Sequence, residues 1–224
     1  MLIDLIQQWS TPFSVPILFA KKPDTGVHFV IDYCGFNIKT IRNRYPFSLI
    51  MEMLSPLGKV QIYTKLDEQV ANNRIKIYQG DRILFSFQMG HSLFEPTVMQ
   101  FGTTNAPVHF QWYINSAMRE VLDTFAAAYL NNISIYSDLD EEHVEHIMWV
   151  IQCLFEAGLY LKLKTCKFYK KTSIQYVGLL ISTWATSVDS DKFESVTDWS
   201  WEKTIQSGRL TNLCEDQQFI RCWN

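Results

Sequence analysis

At 224 residues, 47% of them hydrophobic and 14% aromatic, the chain has apolar material for one large domain or two small subdomains, which excludes a disordered tail. A net charge of −3 and a pI near 5.9 exclude a surface that is basic throughout, so any nucleic-acid footprint must be local. The five cysteines, Cys34, Cys153, Cys166, Cys214 and Cys222, are odd in number and form no CxxC pair, which argues against a disulfide framework or a zinc ribbon.

Residues 1–10 carry an acid where a secretory signal has basic residues, and no apolar run approaches the roughly 20 residues of a membrane span. The expectation is a soluble intracellular protein, cytoplasmic or nuclear, without a membrane partner, and with 1–10 as a helical lead-in. Residues 15–20 and 27–32 are β-prone runs separated by the turn formers Lys21-Lys22-Pro23-Asp24-Thr25-Gly26, a hairpin with a basic tip. Residues 60–66 read as a strand ending at Asp67. Ile75, Ile77, Ile83, Phe85, Phe87 and Met89 alternate across Gln79-Gly80-Asp81, which predicts a second hairpin.

Pro107 opens a helical stretch in which Phe110, Ile114, Ala117, Met118, Val121 and Phe125 make one apolar face. Strands at 126–130 and 133–136 flank Asn131-Asn132, whose side chains tolerate the positive φ of a tight turn. Val144, Ile147, Met148, Ile151, Leu154 and Phe155 mark a second amphipathic helix, stopped by Gly158. Strands follow at 159–163 and 174–181. With no internal repeat and no Gly/Ser-rich linker, this order predicts an α+β fold: a mainly antiparallel sheet packed on one face by two helices.

The residues themselves resemble a known family. Arg44-Tyr45-Pro46-Phe47, Thr64-Lys65-Leu66-Asp67, Leu93-Phe94-Glu95, Val98-Met99-Gln100-Phe101-Gly102, Thr104-Asn105-Ala106-Pro107 and Phe110-Gln111 are similar, in order and spacing, to successive blocks of gypsy-type LTR-retrotransposon reverse transcriptases. Tyr129-Leu130-Asn131-Asn132-Ile133 sits where that family carries YLDDI, and Tyr176-Val177-Gly178 resembles its FLG primer-grip segment. The likeness runs from about Ser10 to about Thr204 and is far more specific than one short motif. It implies the fingers and palm of a right-hand polymerase, with fingers at about 11–60 and 74–105 and palm at about 61–73 and 106–182. Residues 205–224 share no pattern with the family and read as a degenerate tail appended to a retroelement fragment.

By that resemblance the partners are a primed RNA or DNA template and dNTPs, and the cofactor is Mg²⁺. Two ions, roughly 4 Å apart, would be gathered by carboxylates, because in-line phosphoryl transfer concentrates negative charge between them. Asp67 falls on the first metal ligand and Asn131 and Asn132 on the other two. An amide keeps the size of a carboxylate and loses its charge, while Mg²⁺ favours anionic oxygen, so the fold is expected without the catalysis. The resemblance also assigns Lys21 and Lys22 to the triphosphate, puts His28 and Cys34 where the family has arginines, and puts Asn72 where an aromatic residue gates the sugar. Phe101 and Gly102 fall on the nucleotide-pocket floor, after a block altered at Pro96 and Gln100.

Two other patterns carry chemistry. His143 and His146, three apart and flanked by Glu142 and Glu145, have a spacing that can hold a metal, but the order is not HExxH and no third ligand is evident. Lys162, Lys164, Lys167, Lys170 and Lys171, interleaved with Tyr160, Phe168 and Tyr169, suit a template or primer backbone and equally suit the wet face of a strand. A non-enzymatic palm domain that binds nucleic acid or a protein partner is the alternative to a polymerase.

Overall fold

The computed structural model describes residues 5–21, 27–46, 50–57, 60–69, 71–171, 173–177, 179–182 and 186–188. In chain order the first elements are β1 (Ile6–Gln8), β2 (Ile17–Lys21), β3 (Val27–Ile31), α1 (Cys34–Lys39), α2 (Ile50–Leu57) and β4 (Ile62–Asp67). After two short 3-10 turns come β5 (Phe87–Met89), β6 (Ser92–Pro96) and α3 (Ala106–Ala117). The chain continues through β7 (Ala126–Tyr129), β8 (Asn132–Ser137), α4 (Asp140–Glu156), β9 (Lys167–Lys170), β10 (Ser173–Tyr176), β11 (Leu179–Ser182) and β12 (Thr186–Val188).

The sheet that matters for function is antiparallel, ordered β7-β8-β4-β9. Its strands β4 and β8 pair from Ile62 opposite Ser137 to Asp67 opposite Asn132. Thr64 and Leu66 of β4 face the two helices, Leu66 packing with Phe110, Ile114 and Met118 of the α3 segment and with Val150 and Leu154 of α4. Tyr63, Lys65 and Asp67 point the other way, as the period of two demands. Tyr63 joins a second core under β10 and β11, with Tyr129, Tyr136 and Tyr176. Smaller sheets complete the fold: β1-β6-β5, β10-β11-β12 and the β2-β3 hairpin.

Several sequence expectations are corrected. Residues 6–8 of the supposed helical lead-in are a strand that pairs with β6. The second hairpin is not built from 75–89; Arg82–Phe85 is a 3-10 turn, and the hairpin is β5 with β6. Alternation of Ile83, Phe85 and Phe87 is also satisfied by a 3-10 turn leading into a strand, so the pattern alone did not decide. Helices α1 and α2 were not foreseen. The helix α3 ends at Ala117, and Val121 and Phe125 reach the core from the turns that follow it. Residues 159–163 form no strand beyond a bridge from Leu161 to Glu68, and 174–181 is a hairpin, turning at Val177 with φ 49°.

The apolar stripe read on α4 is only partly buried. His143, Val150 and Leu154 face inwards, whereas Val144, Met148 and Phe155 are exposed. A polar chain fixes this rotation. Buried His143 places Nε2 2.8 Å from Thr64 Oγ1 and Nδ1 2.9 Å from Ser137 Oγ. Ser137 Oγ also lies 2.7 Å from His146 Nδ1, and the His146 ring stacks on Phe125 with centroids 3.8 Å apart. The two imidazoles therefore tie α4 to the sheet.

Candidate functional site

Asp67 ends β4 beside the β7-β8 turn, and the turn is held from behind. Gln111 of α3 is buried, donates to Ala128 O at 3.0 Å and accepts the Leu130 N–H at 2.7 Å. Tyr176, fully buried, reaches the carbonyls of Ala127 and Asn132 through its hydroxyl, at 3.4 and 3.3 Å. The positive φ of the turn, 51°, falls on Leu130 rather than on an asparagine, and Asn132 is already the first residue of β8. The two-residue connection is thus Leu130-Asn131, one position earlier than expected.

This arrangement brings Asp67, Asn131 and Asn132 together. Asn131 Nδ2 donates to Asp67 Oδ1 at 2.9 Å, and Asn132 Nδ2 donates to Asn131 Oδ1 at 3.2 Å. The second Asp67 oxygen accepts from the Thr165 hydroxyl, which the turn after α4 delivers. The backbone is stapled too, the Lys162 N–H donating to Asp67 O at 2.8 Å and the Asp67 N–H meeting Cys166 Sγ at 3.3 Å. Lys65 lies on the same face. Burial lowers its pKa and Asp67 opposes that shift.

The donor set does not fit a pair of divalent cations. Both Asp67 oxygens are occupied by neutral donors, the neighbouring amides carry no charge, and a half-buried lysine stands two residues away. Among the described residues no group of three Asp, Glu, His or Cys side chains converges as metal ligands do. Mg²⁺ requires near-octahedral oxygen and sheds its water reluctantly, so one engaged carboxylate is a poor substitute.

The amide tip should therefore be the more stable one without metal. Asn131→Asp with Asn132→Asp replaces the 2.9 Å hydrogen bond to Asp67 with facing carboxylates and is expected to cost about 1–3 kcal/mol. Thermal unfolding in chelator measures this; a higher melting temperature for the double variant would contradict it.

The other expected site residues are dispersed. Phe101 is exposed in the loop after β6. Gly102, at φ 88°, needs the freedom of glycine. Asn37 of α1 clamps this loop, donating to Gly102 O at 2.8 Å and accepting the Thr104 N–H at 2.9 Å. Lys162 and Lys164 are exposed around the Thr165 turn, not on a strand. Tyr176 belongs to the core, so contact with a primer from this segment would fall to the turn that begins at Val177. The side chains of Lys21, His28 and Asn72, and all of Lys22 and Gly178, lie outside the described residues, as does the tail 205–224.

Three contributors were missed by sequence reasoning. Thr165 gave no signal, because its role depends on a turn meeting a strand 98 positions away. Gln111 lies within a family block, but nothing local marks it as a support for the tip; a glutamine beside Phe110 and Ile114 on a buried helix face was the available signal. Glu68 continues the buried alternation of Thr64 and Leu66, and it is 3% exposed with neither carboxylate oxygen in a hydrogen bond. Burial, with a smaller push from Asp67, raises its pKa to about 8, against the pull of Arg74 and of the Tyr160 backbone, the latter short of hydrogen-bond geometry. Arg74 itself lies over the Tyr160 ring, 4.2 Å from its centroid.

The family model described as reverse transcriptase (RNA-dependent DNA polymerase) matches residues 20–181. The Transposon Tf2-7 polyprotein of Schizosaccharomyces pombe is 31% identical over 188 residues, and Tf2-3 of the same organism is 30% identical. The match takes in 84% of this chain and 14% of those polyproteins, so the chain spans a small part of their length. Among solved structures, a foamy viral protease-reverse transcriptase in complex with RNA/DNA hybrid superposes with a TM-score of 0.78 at 16% identity, covering 94% of this chain and 28% of the other. Its form in complex with double-stranded DNA gives 0.79 over 94% and 37%.

Proposed function

The chain belongs to the reverse transcriptase family, and from that premise we propose that it is the fingers-and-palm portion of a gypsy-type LTR-retrotransposon polyprotein in a copy that no longer polymerises. The observation that carries the second half is the Asn131 amide donating to Asp67 where the family's metal ligands stand. Fingers would take in about 11–60 and 74–105, and palm about 61–73 and 106–182. Lys21, Lys22, His28, Asn72, Phe101 and Gly102 would border the nucleotide. Lys162, Lys164 and the segment Tyr176-Val177-Gly178 would lie along primer and template.

Binding of a primed template is the activity such a copy can retain, and the foamy viral relatives were solved with RNA/DNA hybrid and with double-stranded DNA. The cations available include the exposed lysines of 162–171, of which Lys171 is already paired with Asp140 at 3.0 Å. Phosphate contacts of that kind release counterions and weaken steeply with salt. Titration of a labelled primed template, run beside a primer-extension assay on the same substrate, is the test. Weak binding that falls by about tenfold or more between 50 and 200 mM salt is expected; tight, base-specific and salt-insensitive binding would overturn this reading.

A further inference from the structure

We propose that a cleft between residues 73–82 and the turn after α4 binds phosphate groups, presented either by a nucleic-acid backbone or by a free nucleoside polyphosphate. The cleft has a volume of about 510 Å³ and its lining includes Asn73, Arg74, Lys76, Arg82, Thr97 and Tyr160. Three cations line it and no carboxylate does. In an acidic chain such a concentration of one sign is unusual, and concave, low-dielectric walls strengthen its field. Among the described residues the only ion pair is Lys171 with Asp140, so none of the three is neutralised at ion-pair distance.

The site is built rather than incidental. Arg74 is braced against the Tyr160 ring, and its Nε is buried without a hydrogen-bond partner, as is Asn73 Oδ1. Arg82 is anchored by its Nε to Ile77 O at 3.3 Å. The floor is rigid, since Ile77 N–H donates to Thr97 O at 2.9 Å, Met99 N–H to Ile75 O at 2.8 Å, and Thr97 N–H to Leu5 O at 2.9 Å. Guanidinium groups held this way suit phosphate oxygens, which accept in pairs. Neither Asp67 nor Asn131 or Asn132 lines the cleft, so a ligand here would not occupy the metal position.

The inference rests on these side chains and not on the family reading, and its test does not read polymerisation. Fluorescence anisotropy would follow a labelled single-stranded oligonucleotide, and tripolyphosphate would be titrated with hydrogen exchange of segments 73–77 and 97–98 as the readout. The variant is Arg74→Gln with Lys76→Gln and Arg82→Gln; the control is Arg119→Gln, at an exposed arginine outside both sites. For at least one ligand, the triple variant is expected to lose about tenfold in affinity and the salt slope to fall by about two to three. Loss with the oligonucleotide alone identifies the backbone as the source; loss with tripolyphosphate alone identifies the free polyphosphate. Should the triple variant fail to fold by circular dichroism, Lys76→Gln and Arg82→Gln singly are each expected to cost about two- to threefold. Unchanged affinity of the triple variant for both ligands, or a wild type that neither binds the oligonucleotide nor shows exchange protection with tripolyphosphate, would overturn the proposal and would leave the reading of the Asp67 site untouched.

Discussion

Purified protein given primed template, dNTPs and Mg²⁺ or Mn²⁺ is expected to show no primer extension, and Asn131→Asp with Asn132→Asp is expected to restore at most a trace. The first half follows from charge. Asp67 alone, with one oxygen held by Asn131 and the other by Thr165, cannot gather two divalent ions. Electrostatic stabilisation usually contributes most to such catalysis, with single preorganised groups worth on the order of 10²–10³ in rate. The second half follows from positioning. On the proposed correspondence, the repaired tip would still have a cysteine and a histidine in place of fingers arginines, at Cys34 and His28, and an asparagine, Asn72, in place of the sugar gate. A misplaced triphosphate forfeits the orientation advantage, and groups that act as a unit return far less than their share when one is repaired. The measurement is nucleotide incorporation by wild type, by the double Asn→Asp variant, and by that variant with Asn72→Tyr, His28→Arg and Cys34→Arg added. Robust extension by the wild type would end the inactive reading. Full rescue by the two aspartates alone would show that the finger and gate departures are tolerated.

The parts of the fold legible in the sequence were those with a strong local pattern. The strand ending at Asp67, the strands either side of the Asn131 turn, and the two helices follow from alternation and three-to-four spacing. The capping glycine, Gly158 at φ 67°, was legible as well. What failed was set by contacts distant in sequence. Residues 6–8 form a strand because β6 offers a free edge, which no local signal announces. Helix α4 presents His143 and not Val144 to the sheet, because Thr64 and Ser137 offer hydrogen bonds that an apolar count ignores. At the candidate site the motif located Asp67, Asn131 and Asn132, while Thr165, which completes the ring of donors around Asp67, became visible only once the turn after α4 was seen to meet β4.

Unfolding free energy is expected to be nearly flat from pH 4.5 to 6.5 and to fall above it, because two buried groups that catalysis does not need titrate in opposition. Glu68 binds its proton up to about pH 8 when folded and only to its ordinary 4.5 when unfolded. Its contribution is thus full below pH 4.5 and is lost as pH rises to 8. His143 is the reverse case: burial, with a smaller push from His146, lowers its pKa to about 4, so the folded state stays neutral where the unfolded chain takes up a proton. That contribution is present above pH 6.5 and is lost as pH falls to 4. Between 4.5 and 6.5 the two slopes oppose each other, roughly one proton against one, with His146, also lowered by burial, adding to the acid side. From 6.5 to 8 only Glu68 remains, and stability should drop by about 2 kcal/mol. Glu68→Gln should abolish that drop and expose the acid slope of His143, a loss of about 2–3 kcal/mol on going from pH 6.5 to 4.5. His143→Gln should do the opposite, giving a protein whose stability falls continuously from pH 4.5 to 8. Urea unfolding at pH 4.5, 6.5, 8 and 9 separates the cases by slope, without reliance on absolute stabilities that the substitutions themselves alter. If Glu68→Gln kept the wild-type decline between pH 6.5 and 8, the group responsible would have to be another, and the protonated state assigned to Glu68 beside Arg74 would be wrong.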